Sequence, residues 1–155
     1  MPRMRPDDQS LAMDEVNILL IESDADSAEL VRVALRSLPV LQRVKHCRDT
    51  GAALAWLEGD GARLAPNAFA LLDPGLATNA SCAPIVALRR APGLSALPIV
   101  VLVGSGDPFS IAAAYRCGVN SVVQRPFDPT EFAAAVQQVA AYWLLRNVCA
   151  LEQED

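Results

Sequence analysis

The sequence contains a single lysine, Lys45, and a single histidine, His46. Its arginines are dispersed and its net charge is −5, so it lacks the clustered cations that a phosphate backbone demands. Nucleic acid is therefore not an expected partner. One histidine also leaves nothing from which to build a Ser/His/Asp or Cys/His constellation, and His46, inside an apolar run, reads as a packed or edge residue. The four cysteines, Cys47, Cys82, Cys117 and Cys149, include no C-x-x-C pair. Scattered in this way, they are expected as isolated reduced thiols of a cytoplasmic protein rather than as metal ligands or disulfides. No apolar run reaches the length of about 18 to 20 residues that spans a bilayer, so no membrane association is expected. The first 15 residues carry both charge signs and no apolar h-region, unlike a secretory signal.

What is present is apolar and periodic. Apolar residues make up 52% of 155, enough for one packed domain and too short a chain for two. The expected organisation is a flexible tail over 1–15, a domain over 16–150 and an acidic tail over 151–155. Within the domain one theme repeats: a short β-branched run, a turn, then a helical stretch. The runs are Val16–Ile21, Arg43–Cys47, Phe69–Leu72, Pro98–Val103 and Val119–Val123. Apolar runs without alternation suit strands buried on both faces, as in parallel sheets. A first helix opens at Asp24-Ala25-Asp26, with Leu30, Val31, Ala34 and Leu35 on its inner face. Thr50–Leu57, Ala83–Arg90, Pro108–Cys117 and Pro129–Asn147 supply four more, and Gly118 suits the left-handed position that ends the fourth.

Strict β-α alternation requires right-handed crossovers, which put helices on both faces of one parallel sheet. Ligand chemistry in such sheets sits at the carboxyl ends of the strands. Those ends carry Glu22-Ser23-Asp24, Asp73-Pro74-Gly75, Gly104-Ser105 and Gln124-Arg125-Pro126. Two carboxylates and a guanidinium converge there. No G-x-G-x-x-G or P-loop pattern follows any strand, which leaves a flavodoxin-like nucleotide-binding enzyme with little support.

From Asn17 to Trp143 the chain resembles the CheY-like receiver domains of response regulators. Ile18-Leu19-Leu20-Ile21-Glu22 is similar to the family's first strand with its acidic pair, Phe69-Ala70-Leu71-Leu72-Asp73 to the strand ending in the phosphoacceptor, and Leu97–Leu102 to the fourth strand. The closing Ala141-Tyr142-Trp143-Leu144 resembles stand-alone receivers associated with phytochromes. The resemblance implies a five-stranded parallel sheet in the order 2-1-3-4-5, with helices on both faces. It implies a two-component phosphorelay module, not an enzyme, that accepts a phosphoryl group from a sensor histidine kinase at Asp73. It also implies a Mg²⁺ held by Glu22, Asp73 and the Gly75 carbonyl, and a cis bond before Pro126.

Against that pattern several positions depart. Ser23 stands where the family has a second acid, so Mg²⁺ binding is expected to be weak. Val103 replaces the Thr or Ser that meets the phosphoryl group, with Ser105 two positions on. Val122 replaces the aromatic that moves as the switch closes. Arg125 replaces the lysine before Pro126, and is expected to pair with Asp73 through two parallel hydrogen bonds. Pro74 stiffens the loop after the acceptor. The expected result is an atypical receiver that acts by protein–protein contact, the alternative being a working acceptor with relaxed metal geometry. On the last helix Phe132, Val136, Val139 and Trp143 form a stripe suited to the sheet. Ala135, Tyr142, Leu145 and Cys149 form a second face, expected to make a homodimer through the surface that Pro108–Cys117, Val119–Val123 and this helix share.

Overall fold

A computed structural model describes residues 15–59, 63–73, 82–104 and 108–148. The expected tails, together with Pro74, Gly75, Ser105 and Cys149, lie outside the described residues apart from Glu15. Five strands alternate with five helices: β1 (Glu15–Ile21), α1 (Ala25–Arg36), β2 (Val44–Cys47), α2 (Thr50–Glu58), β3 (Arg63–Leu72), α3 (Ala83–Arg90), β4 (Ile99–Val103), α4 (Pro108–Arg116), β5 (Ser121–Gln124) and α5 (Pro129–Ala141). The strands form one parallel sheet in the order β2-β1-β3-β4-β5, as the resemblance implies.

The sheet separates two apolar layers because each buried strand sends alternate side chains to opposite faces. Leu19, Ile21, Ala70, Leu72, Ile99 and Val101 meet Ala53 of α2, Ile85 and Leu88 of α3 and Ala114 of α4. Ile18, Leu20, Phe69, Leu71, Val100 and Leu102 meet α1 through Val31 and Leu35, and α5 through Phe132 and Val136. Asp24, Asp49 and Asp128 cap α1, α2 and α5 by accepting hydrogen bonds from backbone N–H groups of the first turn. Leu30, expected on the inner face of α1, is instead half exposed, since Val31, Ala34 and Leu35 already fill that stripe.

β3 begins six residues before the expected Phe69. Its first half pairs with Glu15 and Val16, and the register shifts between Val16 and Ile18. Asn17 at that shift is buried; its side chain donates to the Leu41 carbonyl at 2.8 Å and accepts from Arg43 N at 2.9 Å. Pro66 hides this half in the sequence, because proline cannot donate to a ladder.

The final helix also departs from expectation. After Ala141 the backbone widens into a π-helical turn over Tyr142–Arg146, with Asn147 N bonded to the Tyr142 carbonyl at 2.8 Å. The widened turn advances the register, so Leu144 enters the core and Trp143, expected on that stripe, packs only at its edge.

One cysteine expectation is overturned. Cys82, at the N-cap of α3, and Cys117, just past the end of α4, form a disulfide across a Cα–Cα distance of 5.2 Å. Their separation of 35 residues hid the pairing, which only the packing of α3 beside α4 creates. Cys47 is a buried free thiol, as expected.

Candidate phosphoacceptor site

The two acids are positioned by the ladder itself. Asp73 N donates to the Ile21 carbonyl at 2.9 Å and Glu22 N to the Cys47 carbonyl at 3.0 Å, extending the sheet one residue past β3 and β1. Asp73 and Glu22 therefore leave the sheet side by side. Ser23 Oγ donates to Asp73 Oδ2 at 2.6 Å, with Ser23 N also directed at that oxygen at 3.4 Å. Asp24 turns away from the acceptor: its Oδ1 accepts from Asp26 N at 2.9 Å, and its own N donates to Glu22 Oε1 at 3.1 Å. Burial pushes the Glu22 carboxyl above its ordinary value; the facing Asp73 carboxylate raises it further, while the Asp24 N–H and the Arg125 charge oppose the rise. On the edge strand His46 Nε2 lies 2.9 Å from the Glu22 carbonyl oxygen, so the lone histidine braces the backbone of this acid.

Arg125 does not pair with Asp73 as expected. Its guanidinium lies over the Phe132 ring, 4.4 Å from the centroid, and Nη1 donates to Ser27 Oγ at 3.3 Å. The reason is local: α5 begins at Pro129, so Phe132 in its first turn presents a ring face beside Arg125, and a weakly hydrated guanidinium stacks well there. The bond before Pro126 is trans, where the resemblance implied cis.

Val103 is buried and Val122 half buried within the layer that holds α2, α3 and α4, so neither offers a polar group to the site. Among the described residues nothing lies within 4 Å of where a Cβ on Gly104 would project. Gly104 and Arg125 line a groove of about 330 Å³ completed by Leu30, Pro126, Phe127, Pro129 and Phe132. Tyr115 of α4 also reaches β5 and was not expected there. Its hydroxyl accepts from Val122 N at 3.1 Å, which brings an aromatic ring against the position where β5 itself has valine. The only available signal was an aromatic near the end of a helix that precedes β5.

A divalent cation suits the donor set in kind, since Glu22 and Asp73 offer hard oxygens that face one another, and Mg²⁺ often takes only one or two carboxylates with retained waters. Ser23 adds a neutral oxygen rather than a charge. Among the described residues no group of three His, Cys, Asp or Glu side chains could hold a metal ion.

Of the expected interface residues, Tyr142 and Leu145 are about half exposed and Ala135 is partly covered. No helix among the described residues is long and apolar enough to cross a membrane.

Sheet order, strand-end acids and the aspartate closing β3 together define a response-regulator receiver, and the chain belongs to that family of two-component signalling proteins. It is 32% identical over 136 residues to the probable methanogenesis regulatory protein FilR2 of Methanothrix harundinacea, covering 86% of each chain. It is 27% identical to response regulator Rcp1 of Synechocystis, over 82% of this chain and 88% of Rcp1. The Mn²⁺-bound structure of Rcp1 superposes with a TM-score of 0.71, covering 86% of this chain and 98% of that one. The phosphorylated cyanobacterial phytochrome response regulator RcpA gives 0.73 at 24% identity, over 90% of this chain and all of RcpA. No protein-family model matches the chain.

Proposed function

We propose that this receiver acts chiefly as a binding module for signalling proteins of a two-component system, a sensor histidine kinase among them, with slow phosphoryl transfer to Asp73. The observation that carries this reading is the Ser23 hydroxyl on Asp73 Oδ2, at the place where the resemblance implies a second metal-binding acid. Arg125 supports it, being engaged by Ser27 and Phe132. Charge develops on the phosphoryl oxygens as the group moves, and preorganised cations and donors lower that barrier. Glu22 and Asp73 bring negative charge to the same point, and Val103 brings no donor. Losing one such donor typically costs about 10²- to 10³-fold in rate, so two losses leave transfer slow on signalling times.

The residues that remain still support some acceptor chemistry. Glu22 and Asp73 would hold a Mg²⁺, which neutralises the incoming phosphoryl charge when bound. Incubation with acetyl phosphate and Mg²⁺, followed by intact mass, tests the reading. The expected result is little or no adduct, and a faster adduct in Ser23→Asp that disappears in the Ser23→Asp/Asp73→Asn double variant. Rapid stoichiometric labelling of the unsubstituted protein, lost in Asp73→Asn, would establish the working-acceptor alternative instead. The contact surface proposed for self-association is the exposed face of Tyr142 and Leu145, and the proposed compartment is the cytoplasm.

A further inference from the structure

The Cys82–Cys117 pair joins helix ends of opposite polarity. Cys82 is the N-cap residue of α3, and its side chain makes no capping hydrogen bond. Cys117 follows the last residue of α4, and its N–H donates to the Ala113 and Ala114 carbonyls at 3.0 and 3.1 Å. A helix N-terminus carries partial positive charge and lowers a thiol's pKa, whereas a C-terminus does the reverse. Both cysteines are partly exposed, unlike buried Cys47.

The bond also has a second fastening beside it. Arg89, in the last turn of α3, donates to the Leu97 carbonyl, to the Gly118 carbonyl at 3.0 Å and to Asn120 Oδ1 at 2.6 Å. Asn120 Oδ1 in turn accepts from Ile99 N at 2.9 Å. This polar knot ties α3 to the turn between α4 and β5 independently of sulfur. Breaking the disulfide therefore removes the covalent tie between α3 and the end of α4 while this knot keeps the following turn and the sheet in place. Two residues before Cys117, Tyr115 connects α4 to β5 through Val122 N.

We propose that Cys82 and Cys117 form a reversible thiol–disulfide site in which Cys82 is the leaving thiolate, and that its redox state sets how firmly α4 is held against β5. The reductant is a dithiol, the class that includes dithiothreitol and thioredoxin-type proteins. Its thiolate attacks Cys117 Sγ, the S–S bond breaks, and the electron pair leaves on Cys82 Sγ. The second thiol of the reductant then attacks the reductant's sulfur in the mixed disulfide, releasing the Cys117 thiolate, and the two protons lost by the dithiol are taken up by the Cys82 and Cys117 thiolates. The dithiol ends as a disulfide and the protein as two thiols. A better leaving group lies at the lower thiol pKa, so attack is directed to Cys117.

The full chain, equilibrated with oxidised glutathione, is to be denatured with N-ethylmaleimide and mapped by peptide mass. A linked Cys82–Cys117 peptide, with the label on Cys47, is expected; label on both Cys82 and Cys117 overturns the site. In the native state, Cys117→Ser exposes a Cys82 thiol that should react with N-ethylmaleimide about tenfold faster than the Cys117 thiol of Cys82→Ser. Equal rates, or a faster Cys117, overturn the assignment of the leaving group. Dithiothreitol added to the unsubstituted protein requires no variant to fold. It should lower the Tm by roughly 10 °C and speed amide exchange in α4 while β1 and β3 stay protected. An unchanged α4, or loss of protection throughout the sheet, would overturn the proposed loosening.

Discussion

At Glu22 burial and a neighbouring like charge act in one direction, while an N–H and a guanidinium act in the other. Burial is the largest of these and the carboxyl ends above its ordinary 4.5. An acid whose folded value is raised favours the folded state below the unfolded value, and that contribution is lost as pH rises through the folded value. In metal-free buffer the protein should therefore lose some stability through this group as pH rises from about 4.5 through its raised folded value. Glu22→Gln removes the loss, so urea midpoints of the variant should exceed those of the parent at neutral pH and converge with them in acid. A variant that is weaker at neutral pH would show that the Asp24 N–H bond outweighs burial. Glu22 and Asp73 were legible from the sequence because they end apolar strands. The partner of Arg125 was not, because a long side chain chooses among neighbours that only the fold brings close: Phe132 lies seven residues on and Ser27 on another helix.

Elements were legible wherever one period ruled them. β1, β4 and α3 fall within a residue of expectation, since unbroken Ile, Leu and Val runs or a Pro-led helix leave few alternatives. The early half of β3 was hidden by Pro66 and Asn67, which disfavour a ladder by themselves and are tolerated because Ala65 and Ala68 are buried beside them. The π-helical turn was hidden for a different reason: its i→i+5 bond responds to the packing of Leu144 and leaves no sequence period. α5 depends on a local device that the sequence does show. Asp128 accepts from both Thr130 N and Glu131 N, at 2.9 and 3.0 Å, with Pro129 at the first helical position. Asp128→Ala should cost about 1 kcal/mol by urea unfolding, and Asp128→Ser should recover most of it. Equal losses in both would mean that the packing of Phe132, rather than the cap, sets the start of α5.

The whole molecule presents an uneven surface. One layer of the sheet is closed by α1 and α5, the other by α2, α3 and α4, and each already buries the apolar side chains it needs. Tyr142, Leu145 and Val148 are surplus to that packing: the first two are about half exposed and Val148 is 91% exposed. Single exposed apolar residues are ordinary, but here two lie within the widened turn and a third just past its end. The π-helical turn contributes directly, since by carrying Leu144 inward it turns Tyr142 and Leu145 outward, with the Tyr142 ring edge-on to Trp143 at 4.9 Å. A second copy of the chain would cover these side chains symmetrically, the commonest arrangement for a homo-oligomer. Light scattering at micromolar concentration should report a dimer. Tyr142→Glu, which places a charge among these exposed side chains, should shift it to monomer at the same concentration while leaving the far-ultraviolet circular dichroism unchanged, because the Tyr142 side chain is half exposed. A parent protein that is already monomeric, with a mass unaltered by the substitution, would remove the dimer and leave these side chains to a different partner.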